Sequence, residues 1–193
     1  MDLQISDSNE SIETWLLKDF VTEDLRTDLK DVSILIVPVE NLRENVHLAF
    51  PIGTEGILGY FKEQLEGNIK IDICITDEDY QEYAFYSNYK RLGDFVIQKV
   101  AIPVFVTVLS SFVIQKIIAE DNSQPQIEIK DESVNVTVNN HISTLSEKKY
   151  LEPTQIKFSV TVVDSSGTSK KISYEGPATN IDTVLKSLKD YEN

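Results

Sequence analysis

Apolar positions recur along this chain at two spacings, and the change from one to the other divides it. From Ile12 onward, Trp15, Leu16 and Phe20 follow at intervals of three and four, the spacing of one buried helix face. Leu25 and Leu29 extend that face after a break near Thr22. Asp7 and Glu10 offer a D-x-x-E variant of the capping box at its start. The β-branched run Val32-Ser33-Ile34-Leu35-Ile36-Val37-Pro38-Val39 predicts a strand covered on both faces, with Pro38 near its end. Thr54 to Leu65 predicts a helix closed by Gly67-Asn68. Ile69, Ile71, Ile73 and Ile75 alternate with Lys70, Asp72, Cys74 and Thr76, a period of two that predicts a strand with one buried face. Tyr80 to Ile97 is aromatic and less regular, and its spacing favours a helix. Pro103 suits the first turn of a long apolar helix.

A polar run, Asp121-Asn122-Ser123-Gln124-Pro125, then stops that helix and marks a boundary. Beyond it the pattern is β. Ile127 and Ile129 alternate with charges, as do Val134, Val136 and Val138 with Asn135, Thr137 and Asn139. Ile156, Phe158, Val160 and Val162 form another alternating set. Asp164-Ser165-Ser166-Gly167 supplies a turn, and Ile172 and Tyr174 begin the return strand of a hairpin. After Gly176-Pro177, Thr179 and Asp182 resemble a cap, and Ile181, Val184, Leu185 and Leu188 give a short amphipathic helix. The expected fold class is mixed α+β. A helix-rich α/β part, residues 1–122, carries the long apolar helix, and a small antiparallel sheet with a C-terminal helix fills residues 123–193.

The uncharged segment from Val100 to Gln115 is the one that challenges a soluble reading. As a helix it rises roughly 24 Å, short of the ~30 Å hydrocarbon core, and reaches that length only by running on past Lys116 to Ala119. Thr107, Ser110, Ser111 and Gln115 fall on one narrow stripe, which favours a helix buried on most sides with a thin polar edge. Partial burial against another chain is the further option.

Charge sharpens the picture. The 193 residues carry 18 Lys+Arg and 32 Asp+Glu, a formal charge of −14. Residues 1–100 hold 20 acids and 9 bases, which leaves −11 of the −14 there. A surface this negative does not release counterions from nucleic-acid phosphates, so no nucleic-acid partner is expected for residues 1–122, and adsorption on anionic lipid is disfavoured. The near-neutral C-terminal part is less constrained, and Lys157, Lys170 and Lys171 could form a small positive patch there. One cysteine, Cys74, excludes an internal disulfide. With no basic n-region or apolar h-region at Met1-Asp2-Leu3-Gln4, a cytoplasmic location is expected and the sequons at Asn9 and Asn135 are read as chance matches.

Candidate chemistry is sparse. Gly53, Gly56 and Gly59 fit neither phosphate-loop spacing, and Glu55 would repel a phosphate, so a turn and close helix packing are preferred. Glu128-Ile129-Lys130 matches the E-x-K of metal-dependent nucleases, but the preceding Asp121 lies in the linker and Glu147-Lys148-Lys149 matches as cheaply. Asp77-Glu78-Asp79 beyond a strand, with Asp72 upon it, could hold a divalent cation, though without a calcium-loop register. The weak metal alternative is therefore Asp72, Asp77 and Glu128, with Lys130 beside them. His47 and His141 are the only histidines; a Cys74–His47 dyad is conceivable, and a lone buried cysteine is preferred. The Tyr80, Tyr83, Phe85, Tyr86 and Tyr89 cluster is the most unusual local feature, since tyrosine suits interfaces where a ring buries area and its hydroxyl stays wet.

The first functional expectation is a non-enzymatic interaction module or accessory subunit, without cofactor, binding a protein partner or itself through helix 103–119. Tyr80, Tyr83, Tyr86, Tyr89, Phe105 and Phe112 are the interface candidates. A metal-dependent hydrolase or nuclease and an acidic mimic of nucleic acid are the alternatives.

Overall fold

The computed structural model describes residues 2–43, 46–65, 67–84, 88–119 and 153–189. Six strands form one sheet: β1 (Asp2–Ser8), β2 (Ile34–Val37), β5 (Ile71–Ile73), β7 (Lys90–Gln98), β8 (Gln155–Val163) and β9 (Ser169–Pro177), in the order β1-β9-β8-β7-β2-β5. β7–β8 and β2–β5 are parallel pairs; the other neighbours are antiparallel. A three-stranded sheet joins β3 (Val39–Arg43), β4 (Val46–Pro51) and β6 (Glu82–Tyr83). Among the described residues the helices are α1 (Ile12–Leu16), α2 (Glu23–Leu29), α3 (Thr54–Gln64), α4 (Ile102–Phe112) and α5 (Ile181–Lys189). A 3-10 turn (Lys99–Ala101) leads into α4, a π turn (Val113–Ile118) continues it, and a second 3-10 turn (Ala178–Asn180) leads into α5. The chain is a mixed α+β protein, as the sequence pattern implies, with the long apolar helix at Lys99–Ile118 and a C-terminal helix.

Alternation along the strands sorts their side chains onto two faces. Ile34, Ile36, Phe95, Ile97, Ile156, Phe158, Val160, Ile172 and Tyr174 share the first, packed under α3, α4 and α5. Phe61, Phe95 and Phe105 meet there, with ring centroids 5.2 to 6.4 Å apart. Burying one such side chain is worth about 1.5–3 kcal/mol, and each aromatic pair adds about 0.5–1.5 kcal/mol. Ile181, Val184, Leu185 and Leu188 of α5 are all buried in this layer. On the second face Leu35, Val37, Val96 and Val163 lie under Ile12, Trp15, Leu16 and Leu29 of α1 and α2. Ser11 and Thr22 cap these two short helices through their hydroxyls.

The apolar helix belongs to the first layer. Ile102, Phe105, Val106, Val108, Leu109 and Phe112 are buried. Thr107 and Gln115 are exposed, and Ser110 and Ser111 are half-buried, so the polar stripe is its outer edge. The helix is long and apolar enough to cross a membrane by length and composition, and half of it is buried against this fold.

Three expectations change. Residues 80–97 are not a helix: they hold β6 and β7. A bulge between Arg91 and Gly93, with Gly93 at φ +116°, flips the side-chain parity. Leu92, Phe95 and Ile97 therefore reach the same core at a spacing that imitates a helix. Asp2–Ser8 is a strand paired with β9, and the cap of α1 is Ser11 with Thr14 rather than Asp7 with Glu10. The boundary at 122/123 does not separate two sheets, because β8 runs parallel to β7 and β9 carries β1. The strands expected at 127–138 lie outside the described residues.

Candidate functional site

Brought side by side, β7 and β8 end at the same level, at Gln98 and Val163. Past these ends the chain diverges: β7 enters the 3-10 turn of α4, and β8 enters the Asp164–Gly167 turn. The start of α1 closes the third side. The result is a cleft of about 810 Å³ at the C-terminal ends of a parallel pair, the place where adjoining loops diverge in α/β sheets. Ile12 and Val163 line it as buried residues, whereas Val100 is 69 % exposed. Pro103 lies beside Val100, and Gln98, Lys99, Glu13 and Ser165 supply polar groups.

The turn is rigid. Asp164 Oδ1 accepts from Ser166 N (2.8 Å), Ser166 Oγ (2.6 Å) and Thr168 N (3.0 Å). The Ser166 hydroxyl first, joined by the two backbone N–H groups and the Lys99 charge, holds this carboxyl below its usual range against the opposing effect of burial. Gly167 takes the left-handed φ of +82° that closes the turn. The cleft thus offers fixed polar groups beside an exposed apolar rim, a combination suited to holding a short amphipathic segment.

The second face of the sheet is polar where α1 and α2 do not cover it. Arg91, Asp94, Lys157, Ser159, Lys171 and Ser173 line a shallow concavity of about 150 Å³ with Val39 and Pro51. Ser159 Oγ donates to Asp94 Oδ1 (2.6 Å), Lys157 pairs with Glu175 (2.8 Å), and Lys171 with Glu10 (3.5 Å). The Glu175 carboxylate, against the opposing effect of burial, raises the Lys157 pKa. Lys157 and Lys171 do share a face, but each has a carboxylate partner, so the expected positive patch is balanced.

The expected site residues scatter. Tyr89 reaches the polar face, its ring 5.1 Å from Lys157 Nζ and 5.8 Å from the Arg91 guanidinium carbon. Tyr83 is half-buried, its hydroxyl donating to Gln81 (3.1 Å). The Tyr80 ring packs tilted against Phe50, centroids 5.2 Å apart, and its hydroxyl donates to Glu82 Oε1 (2.6 Å). Burial, followed by the Glu82 hydrogen bond and charge, pushes the Tyr80 hydroxyl well up. Tyr86 lies outside the described residues. Phe105 and Phe112 are interior rather than interface residues, at 0 and 8 % exposure. They face inward because an apolar helix with one polar stripe can satisfy only that stripe with water.

The glycine turn has an anion of its own. Gly53, at φ +93°, starts α3 without a side-chain cap, and Glu82 supplies the acceptor from β6. Its carboxylate takes Gly53 N (3.0 Å) and Glu55 N (2.9 Å). Burial acts to raise the Glu82 pKa, but the Tyr80 hydroxyl and the N–H groups of Glu55, Gly53 and Thr54 together hold it below 4.5.

The metal alternative finds no convergence in what is described. Asp72 pairs with Lys62 (3.2 Å) and accepts from Ile73 N, while Asp77 lies in an exposed turn. Among the described residues no group of three or more His, Cys, Asp or Glu side chains could hold a metal ion. Glu128 and Lys130 lie outside them. The Cys74–His47 dyad is not formed: Cys74 is 0 % exposed and His47 stands exposed on β4. Burial, moderated by Lys18 and reinforced by Glu40, pushes the Cys74 thiol up to about 12.

Sequence reasoning located the Asp164–Gly167 turn and Pro103 but not the cleft between them, because it did not foresee that β7 and β8 would be neighbours. No protein-family model matches the chain, no curated protein matches its sequence, and no solved structure matches its fold.

Proposed function

We propose that this chain is a non-enzymatic interaction module, an accessory subunit that seats a short segment of a protein partner in the cleft at the ends of β7 and β8. The observation that supports this reading is the exposed apolar rim, Val100 with Pro103, over a cleft of about 810 Å³ whose polar groups are held in place. Apolar area at a concave rim contributes to binding only when a partner covers it. The test compares wild type with V100D and S165W by native particle mass in the source lysate and in isolation. Aspartate at 100 sits in the first turn before α4, where a negative charge is tolerated. Wild type is expected to run heavier in lysate than in isolation at the same concentration, and both variants to lose that difference while keeping their unfolding temperature. A wild-type particle of equal mass in lysate and in isolation, or unaltered assembly of both variants, overturns the reading.

A second reading, the acidic mimic, draws support from the α1–α2 layer. Glu13, Asp19, Glu23, Asp24, Asp28 and Asp31 are all exposed there. Such a face would occupy a basic partner through exposed charges, and its complex should dissociate as salt is raised. Seating of an apolar segment in the cleft should resist the same salt.

A further inference from the structure

We infer that the outer edge of β1 pairs with the same edge of a second copy of this chain, about a two-fold axis through Ile5. One side of β1 is hydrogen-bonded to β9 in unbroken antiparallel register from Asp2 opposite Glu175 to Ser8 opposite Ser169. In an antiparallel strand alternate residues turn their N–H and C=O groups away from that partner. Among the described residues no strand takes those outward groups. The opposite edge of the sheet, β5, has three residues; β1 has seven. Long edges are ordinarily guarded by proline, bulges, inward charges or a covering segment. The β1 sequence contains no proline, its pairing with β9 shows no bulge, and its middle residue is Ile5, 49 % exposed; the one charge on its core-side face, Asp7, is exposed at the strand's end and stands opposite Lys170.

The edge is complementary to itself. A two-fold axis perpendicular to the sheet brings residues of the same face into opposition, and only centring on Ile5 pairs every residue of both strands. Ile5 then meets Ile5, Gln4 meets Ser6, Leu3 meets Asp7, and Asp2 meets Ser8. No carboxylate stands opposite a carboxylate, and Asp2 of one copy lies on the other face from Asp7 of the next. Within each copy Lys170 stands across from Asp7 on β9 and offsets that acid, while Asp2 stands across from Glu175, which is itself paired with Lys157. Leu3, packed partly against the first-face core, and Ile5 extend one apolar strip across the junction. The pairing is isologous and closed, and it makes the two sheets continuous. This inference is independent of the cleft.

Sedimentation equilibrium of the full chain, from low to high micromolar concentration at physiological salt, reads the pairing directly. Wild type should shift from 21.9 kDa toward twice that mass. I5K and I5E should each stay monomeric, because like charges then meet on the axis, and an equimolar mixture should recover the doubled mass. Recovery on mixing also shows that both variants are folded. Deuterium uptake in residues 2–8 should fall as wild-type concentration rises, and stay high in I5K. The inference is overturned by a monomeric wild type throughout, by self-association of either variant, by a mixture that stays monomeric, or by full protection of β1 in protein that sediments as a monomer. That last result would mean that the edge is covered within one chain.

Discussion

Replacing Glu82 tests a polar contact that ties β6 to the start of α3. Its carboxylate caps α3 from another element and also receives the Tyr80 hydroxyl. Removal in Glu82→Ala deprives the helix of an N-cap acceptor, typically about 1 kcal/mol, and of a favourable charge at its positive end, about 0.5 kcal/mol. It also deletes a short hydrogen bond from a half-buried phenol to a charged acceptor, about 1.5 kcal/mol, since bonds to charged groups exceed neutral ones. Water can hydrate the freed N–H groups because Gly53 and Glu55 are exposed. The expected loss is therefore about 3 kcal/mol at most, or roughly 6–12 °C in Tm for a chain of this size. Glu82→Gln keeps one carbonyl acceptor and should lose about half as much. The sign of the pH effect follows from the lowered pKa. The folded carboxyl ionises more readily than the unfolded one, so its stabilisation is complete above 4.5 and disappears as pH falls through the folded value. Urea titration of wild type and Glu82→Gln at neutral pH and near pH 3 checks this. A gap under ~0.5 kcal/mol at neutral pH, or one that does not narrow in acid, would refute the capping argument.

Three other outcomes rest on the core and the strand bulge. Gly93→Ala should cost about 1–3 kcal/mol, from backbone strain at φ +116°, since the nearest side chains would sit 3.8–3.9 Å from the new Cβ; an unchanged denaturation midpoint would contradict the bulge. Phe105→Ala should cost about 3–5 kcal/mol by opening a cavity beside Phe61 and Phe95, checked by the same titration. Cys74 should resist a thiol reagent at pH 8 in the native protein and react at once in denaturant, because burial pushes its pKa up to about 12; native labelling at the rate of an open thiol would contradict its burial.

The legible parts of the fold are those in which one period holds from end to end. Ile156 to Val162 keep strict alternation because β8 is central and pairs with β9 without a bulge, and Ile181 to Leu188 keep helical spacing because α5 lies on one surface. The misread stretch is the one where a bulge intervenes: Leu92 is the extra residue between Arg91 and Gly93, and Leu92 and Phe95 then stand three apart on the same side. β1 escaped notice for a different reason. An edge strand with one neighbour needs few apolar residues, and Leu3 and Ile5 are too faint a pattern beside Asp2, Gln4, Ser6 and Asp7. The cleft depends on which strands are neighbours, a long-range fact that local periodicity does not carry. Tyr80 shows the same limit from the other side, because its type suggested an interface and its partner, Glu82, gives it a place inside a helix cap.

Charge placement decides how two associations of this chain would respond to salt. The exposed acids Glu13 to Asp31 lie on the α1–α2 layer, on one side of the sheet, while the β1 edge lies at its margin with Lys170 and Lys171 on the adjoining strand. Two copies approaching edge to edge bring their net charges of −14 together while their contacting strands oppose no acids. The unfavourable part of that encounter is therefore long-range, and ions screen it first, over a Debye length of about 8 Å at physiological strength. Self-pairing should strengthen as salt rises from very low values. A basic partner on α1–α2 should weaken over the same range, since there the long-range term is the attraction itself. Opposite slopes with salt in one sedimentation series thus separate the two surfaces without any mutation, and parallel slopes would place both associations on the same one.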